Sequence, residues 1–156
     1  MRQSRFYLVV AAMAILLTST ALSQNAEEKA PQKKRGHVRI ATLGPQAPSV
    51  DANAEPQKIV ERVIAHWKGR FAQVLPDKPD LIVVPEACDR ASGLSGEKRL
   101  AYYRVRKNQV RDFFAQVAKE NRCYIVYSAA REMDDGTWRN SSVLIGRDGQ
   151  IVGAYN

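Results

Sequence analysis

Among the side chains that could do chemistry, Glu86 is placed most tellingly, because it directly follows the apolar run Leu81-Ile82-Val83-Val84-Pro85. Such a run reads as a strand covered on both faces, and functional groups of α/β sheets gather where strands of that kind end. A carboxylate partly withdrawn from water at that edge is suited to take and return protons near neutral pH. The plainer reading is a strand-ending Glu that caps or pairs locally. Cys88, two residues further on, falls in a loop, and a thiol becomes a nucleophile only beside an activating group. Cys123 opens the apolar run CYIVYSA and reads as a small core residue. His37 and His66 have nothing at ligand spacing, so neither a metal site nor a cofactor is indicated. Asn140-Ser141-Ser142 fits the acceptor pattern for N-glycosylation. Arg99, Arg104, Arg106, Lys107 and Arg111 could line an anion site, although a charged outer helical face is more often simply solvated.

These residues need elements to hold them. Val38 to Leu43 is a short strand closed by Gly44-Pro45. From Pro56 the apolar residues Ile59, Val60, Val63, Ile64, Trp67, Phe71 and Val74 recur at threes and fours, which predicts an amphipathic helix ended by Pro76 and Pro79. After the Glu86 strand a polar loop runs to about Lys98. A single helix is expected from there to about Asn121, with Leu100, Tyr103, Val110, Phe113, Phe114 and Val117 inward and the basic residues outward. Cys123 to Ala129 reads as the next strand. Trp138 to Ile145 and Ile151 to Tyr155 flank Arg147-Asp148-Gly149-Gln150, where Asp-Gly suits a tight hairpin turn. The order β-α-β-α-β plus a hairpin implies a sheet that is parallel at first, with right-handed crossovers placing both helices on one face. In that arrangement Cys88 and Cys123 lie at opposite ends of neighbouring strands, about five residues at roughly 3.3 Å each apart, too far for a disulfide.

Arg2 and Arg5, the apolar run Tyr7 to Leu17 and the small-residue site Ala21-Leu22-Ser23 have the order of a secretory signal peptide. Residues 1–23 are therefore expected to be removed, leaving an exported, periplasmic or extracellular chain without stable membrane insertion. Residues 24–36 read as a flexible polar leader, and residues 37–156 as one domain. The formal net charge of +8 is scattered rather than gathered into a block. A solvated basic surface is thus expected, with no nucleic-acid partner.

At Asp80-Leu81-Ile82-Val83-Val84-Pro85-Glu86 the sequence resembles the first catalytic motif of the carbon-nitrogen hydrolases, the nitrilase superfamily: an acidic residue, an apolar strand and Pro-Glu. Val38 to Leu43 is similar to that family's opening strand, and Asn140 to Tyr155 resembles the hairpin that leads into its second motif. The resemblance implies a nitrilase-like α-β-β-α sandwich of which this chain supplies roughly the first half. It implies hydrolysis of a small amide, nitrile or carbamoyl substrate by a Glu, a Lys and a Cys, with Glu86 as general base and no cofactor. It also implies a homo-oligomer for the full-length protein. In the family pattern the Lys follows the hairpin's final Tyr and the nucleophilic Cys comes later still. Neither motif residue lies within residues 1–156, Cys88 does not stand in the nucleophile's place, and the chain as written is expected to be inactive.

Two other readings compete. A metal-dependent phosphoesterase of the endonuclease-exonuclease-phosphatase type also ends an early strand in Glu, but it places an Asn where this chain has Leu43-Gly44-Pro45 and Gln-Glu where this one has Pro85-Glu86. A non-catalytic exported binding domain on the same fold is the second.

Overall fold

The computed structural model describes residues 36–44 and 47–156. The expected signal peptide, and all of the expected leader but Gly36, lie outside the described residues. Strand β1 (Ile40–Thr42) is followed by helix α1 (Pro56–Val74), a 3-10 turn (Leu75–Asp77) and β2 (Leu81–Val83). Two helices come next, α2 (Gly96–Arg106) and α3 (Gln109–Asn121), and then β3 (Tyr124–Glu132), β4 (Trp138–Ile145) and β5 (Ile151–Tyr155). No helix of the described residues is long and apolar enough to cross a membrane.

The strands form one sheet in the order β1-β2-β3-β4-β5. The first three are parallel, with Ile40, Leu81 and Tyr124 in one row, and β3-β4-β5 run antiparallel. One sheet face carries Ile82, Ile125, Tyr127, Val143 and Ile145, all buried. Against it pack Trp67 and Phe71 of α1 and Phe114 of α3; the Phe114 ring meets Trp67, Phe71 and Tyr127 edge-on. The residues of the opposite face alternate with these: Leu81, Val83, Val126 and Leu144 are half-buried, and Ile40 and Tyr124 are exposed. The described residues therefore build one helical layer and one sheet layer.

The expected single helix is two. The backbone turns at Lys107, φ 42°, and restarts at Asn108. The apolar phase runs through the break, Tyr103 to Val110 to Phe114, so periodicity could not reveal it. Leu100, expected inward, is exposed, whereas Tyr102 is fully buried. The loop after Glu86 is less polar than its composition suggests, since Ala91 and Leu94 join the core. Strand β3 extends three residues past the expected Ala129 because β4 pairs with it as far as Glu132. The hairpin loop spans Gly146 to Gln150, closed by Gly146 N–H donating to the Gln150 carbonyl at 2.8 Å. Within it Gly149 alone has positive φ, 81°, and a side chain there would meet the Ala115 carbonyl of α3 at 2.9 Å. The Asp-Gly pair thus serves a longer, packed loop rather than a two-residue turn.

Candidate active site

Strand β2 is the middle of the three parallel strands, and its path continues past Val83: the Val84 amide donates to the Val126 carbonyl at 2.8 Å. Glu86 then begins a turn, made possible by the left-handed backbone of Ala87, φ 50°. That conformation disfavours any residue with a Cβ, so the turn has to be held from outside. Four groups hold it. The Cys88 amide donates to the Ser128 carbonyl of β3 at 3.1 Å. The buried Trp67 indole N–H, which needs an acceptor, donates to the Cys88 carbonyl at 2.8 Å. Tyr102 O–H donates to the Asp89 carbonyl at 2.7 Å, and Arg106 forms an ion pair with the Asp89 carboxylate.

The Glu86 side chain is exposed rather than partly withdrawn from water. Its Oε1 accepts a hydrogen bond from Asn140 Nδ2 of β4 at 2.5 Å. Asn140 alternates with the buried Ser141 and shares its face with Ser142, whose hydroxyl lies 2.8 Å from that of Ser128. The carboxylate is therefore at the C-terminal edge of the parallel strands and on the uncovered side of the sheet. Asn140 Nδ2 is also the atom that a glycan would take.

Cys88 is buried, and burial pushes its thiol up to about 12, against the partial opposition of the nearby Arg106 charge. At neutral pH it is a protonated thiol with its own amide and carbonyl engaged by the fold, unsuited to nucleophilic attack. Cys123 sits beside the other end of the sheet, where the next residue, Tyr124, donates its amide to the Asp80 carbonyl at 2.9 Å. Both cysteines are unpaired. His37 is exposed ahead of β1, and His66, on α1, meets the Trp67 ring edge-on at 5.0 Å. Among the described residues no group of three or more His, Cys, Asp or Glu is gathered to hold a metal ion.

Arg106 departs furthest from expectation. Placed by its sequence on a solvated face with Arg99, Arg104, Lys107 and Arg111, it is 4% exposed. The helix break brings it to the last turn of α2, where its Nη2 donates to the Ala130 carbonyl at 2.5 Å and its guanidinium lies 4.8 Å from the Tyr103 ring centroid. Burial pushes it down to about 10, which leaves it cationic at neutral pH. Neither Asp89 nor Arg106 carries a sequence signal for this pairing. Trp67 carries one, since a buried indole N–H must find an acceptor.

A family model described as carbon-nitrogen hydrolase matches residues 39–156. No curated protein sequence matches the chain. Among solved structures it is similar to the NitN amidase from Nesterenkonia sp. AN1, at 18% identity and TM-score 0.55 over 76% of this chain and 43% of that one. A second structure of that amidase, at 17% identity and TM-score 0.55 over the same shares, is a Glu-to-Gln mutant showing Michael addition of acrylamide at the active-site cysteine. A carbon-nitrogen hydrolase from Helicobacter pylori G27 matches at 20% identity and TM-score 0.52, over 76% of this chain and 38% of that one. The chain thus spans about two fifths of the length of the structures it matches.

Proposed function

The chain belongs to the carbon-nitrogen hydrolase family, and from that premise we propose that Glu86 is the general base of a Glu-Lys-Cys site hydrolysing a small amide, nitrile or carbamoyl substrate. The observation that carries this reading is the position of Glu86: first residue of the turn past the central parallel strand, on the uncovered sheet face, with its carboxylate oriented by Asn140. The cysteine adduct of the Nesterenkonia amidase supports a cysteine nucleophile. The rival phosphoesterase reading is not carried forward, because the family that matches is one of carbon-nitrogen hydrolases.

In this scheme, written for an amide, Glu86 takes the thiol proton as sulfur bonds to the carbonyl carbon. The lysine cation offsets the charge that develops on oxygen. Glu86 returns the proton to the departing nitrogen as the carbon–nitrogen bond breaks. It then takes a proton from the water that bonds to the thioester carbon and gives it to sulfur as the carbon–sulfur bond breaks, releasing the acid and restoring the thiol. In the family pattern the Lys and the Cys both follow Tyr155, so the 156 residues alone are expected to be inactive. The signal-like residues 2–23 favour an exported enzyme.

The test begins with the reading frame past the codon for Asn156. A Lys within a few residues, followed by a strand-Cys-helix segment, is expected. In the protein that frame encodes, Glu86→Gln should lower hydrolysis of a small amide by about 10²- to 10⁴-fold. Undiminished turnover by that variant would overturn the role of Glu86. A frame without the Lys and Cys would favour a non-catalytic binding domain.

A further inference from the structure

The geometry points to Arg106 as a positioning residue for Glu86, acting through a closed ring of contacts and without touching the carboxylate itself. The inference rests on the reading of Glu86 as the proton-transfer group. In the ring, Glu86 Oε1 accepts from Asn140 Nδ2 at 2.5 Å, and Asn140 is the cross-strand partner of Ala130. The Ala130 carbonyl accepts from Arg106 Nη2 at 2.5 Å, and Arg106 pairs with Asp89, which belongs to the same turn as Glu86. One cation thereby bonds to both parts whose relative placement locates the carboxylate: the turn that bears it and the strand pair that orients it. Trp67 and Tyr102 hydrogen-bond to the turn alone, through its carbonyls.

Stability is a poor account of this pair. Its side chains are 5% and 2% exposed, and Asp89 Oδ1 and Arg106 Nε have no hydrogen-bond partner among the described residues. A buried ion pair left partly unsatisfied recovers little of the cost of leaving water. What it supplies is direction, because the guanidinium is a rigid planar fork and here lies against the Tyr103 ring. Removing one partner strands a buried charge, whereas replacing both by apolar residues of similar size can leave stability nearly unchanged. Position and stability can therefore be separated by experiment.

The test uses the protein encoded by the complete reading frame, with Arg106→Met and with Arg106→Met combined with Asp89→Leu. Unfolding midpoints, hydrogen exchange of the Cys88 amide, and kcat and KM for a small amide are measured for each. The single variant is expected to lower the midpoint and the double to restore most of it. In both, the Cys88 amide should exchange faster by about tenfold or more. Their kcat should fall by about 10- to 100-fold, with KM within about twofold of wild type. Return of both Cys88 protection and kcat along with the midpoint in the double variant would overturn the inference and make the pair part of the core only. Should the single variant not fold, Asp89→Asn, which keeps the shape and removes the charge, is read in the same way. Wild-type turnover by Glu86→Gln would sink the reading of Glu86 by itself, while exchange at Cys88 still decides whether Arg106 holds the turn.

Discussion

Asn140 donates to one oxygen of Glu86, so an exposed carboxylate acquires one preferred orientation. Asn140→Ala removes that preference without opening the core. It is expected to lower kcat by about tenfold and to leave the urea unfolding free energy within about 0.5 kcal/mol of wild type. Cys88 shows the opposite case, a residue whose chemistry the fold suppresses. Its thiol stands at about 12 in the fold against 9.0 when unperturbed, because burial penalises the thiolate. The folded chain therefore keeps a proton that the unfolded chain releases, and stability present below pH 9 is lost as pH climbs toward 12. Tyr127, also pushed up to about 12 by burial, adds to the loss above pH 10. Alkaline unfolding curves should show this decline, with Cys88→Ala shallower. Alkylation of Cys88 near neutral pH should require prior unfolding.

At the level of elements, the break between α2 and α3 decides where Arg106 goes, and Lys107 stands in it with φ 42° and ψ −116°. A residue with a Cβ is strained there, so Lys107→Gly should stabilise the protein by about 1 kcal/mol, read from denaturant midpoints. The succession of strands along the chain, α1 and the placement of Glu86 past a strand end were legible because apolar runs and three-four spacing report burial directly. The break was not legible, because Tyr103, Val110 and Phe114 keep helical phase across it and backbone direction leaves no trace in apolar spacing. Arg106 was missed as a consequence: its residue type argues for solvent, and its burial depends on an aspartate 17 positions earlier that only the tertiary fold brings near. Asn140 was recognisable as part of a hairpin, but its contact with Glu86 requires knowing that β4 lies beside β3 with Ala130 opposite Asn140.

For the molecule as a whole, the face bearing Leu81, Val83, Val126 and Leu144 is the one the helices leave uncovered, and the second sheet of an α-β-β-α sandwich would pack against it. The 156 residues alone should bind a hydrophobic dye such as ANS on that face, and the protein carrying the remaining half of the fold should bind it less. Val126→Thr distinguishes the two states: nearly neutral in the short chain, it should cost about 1 to 3 kcal/mol once the face is covered and the hydroxyl lacks a partner. The sheet has a further property, since its spatial order β1-β2-β3-β4-β5 is also its order along the chain. No strand has to be kept waiting for a partner made later, and none must be inserted between two already joined. The sheet can grow at one edge as the polypeptide is made, so order of synthesis and order of assembly coincide. The turn bearing Glu86 has its partners once β3 is in place, whereas the carboxylate gains its orientation only with the pairing of Asn140 opposite Ala130, making that orientation one of the last features of the described sheet to form.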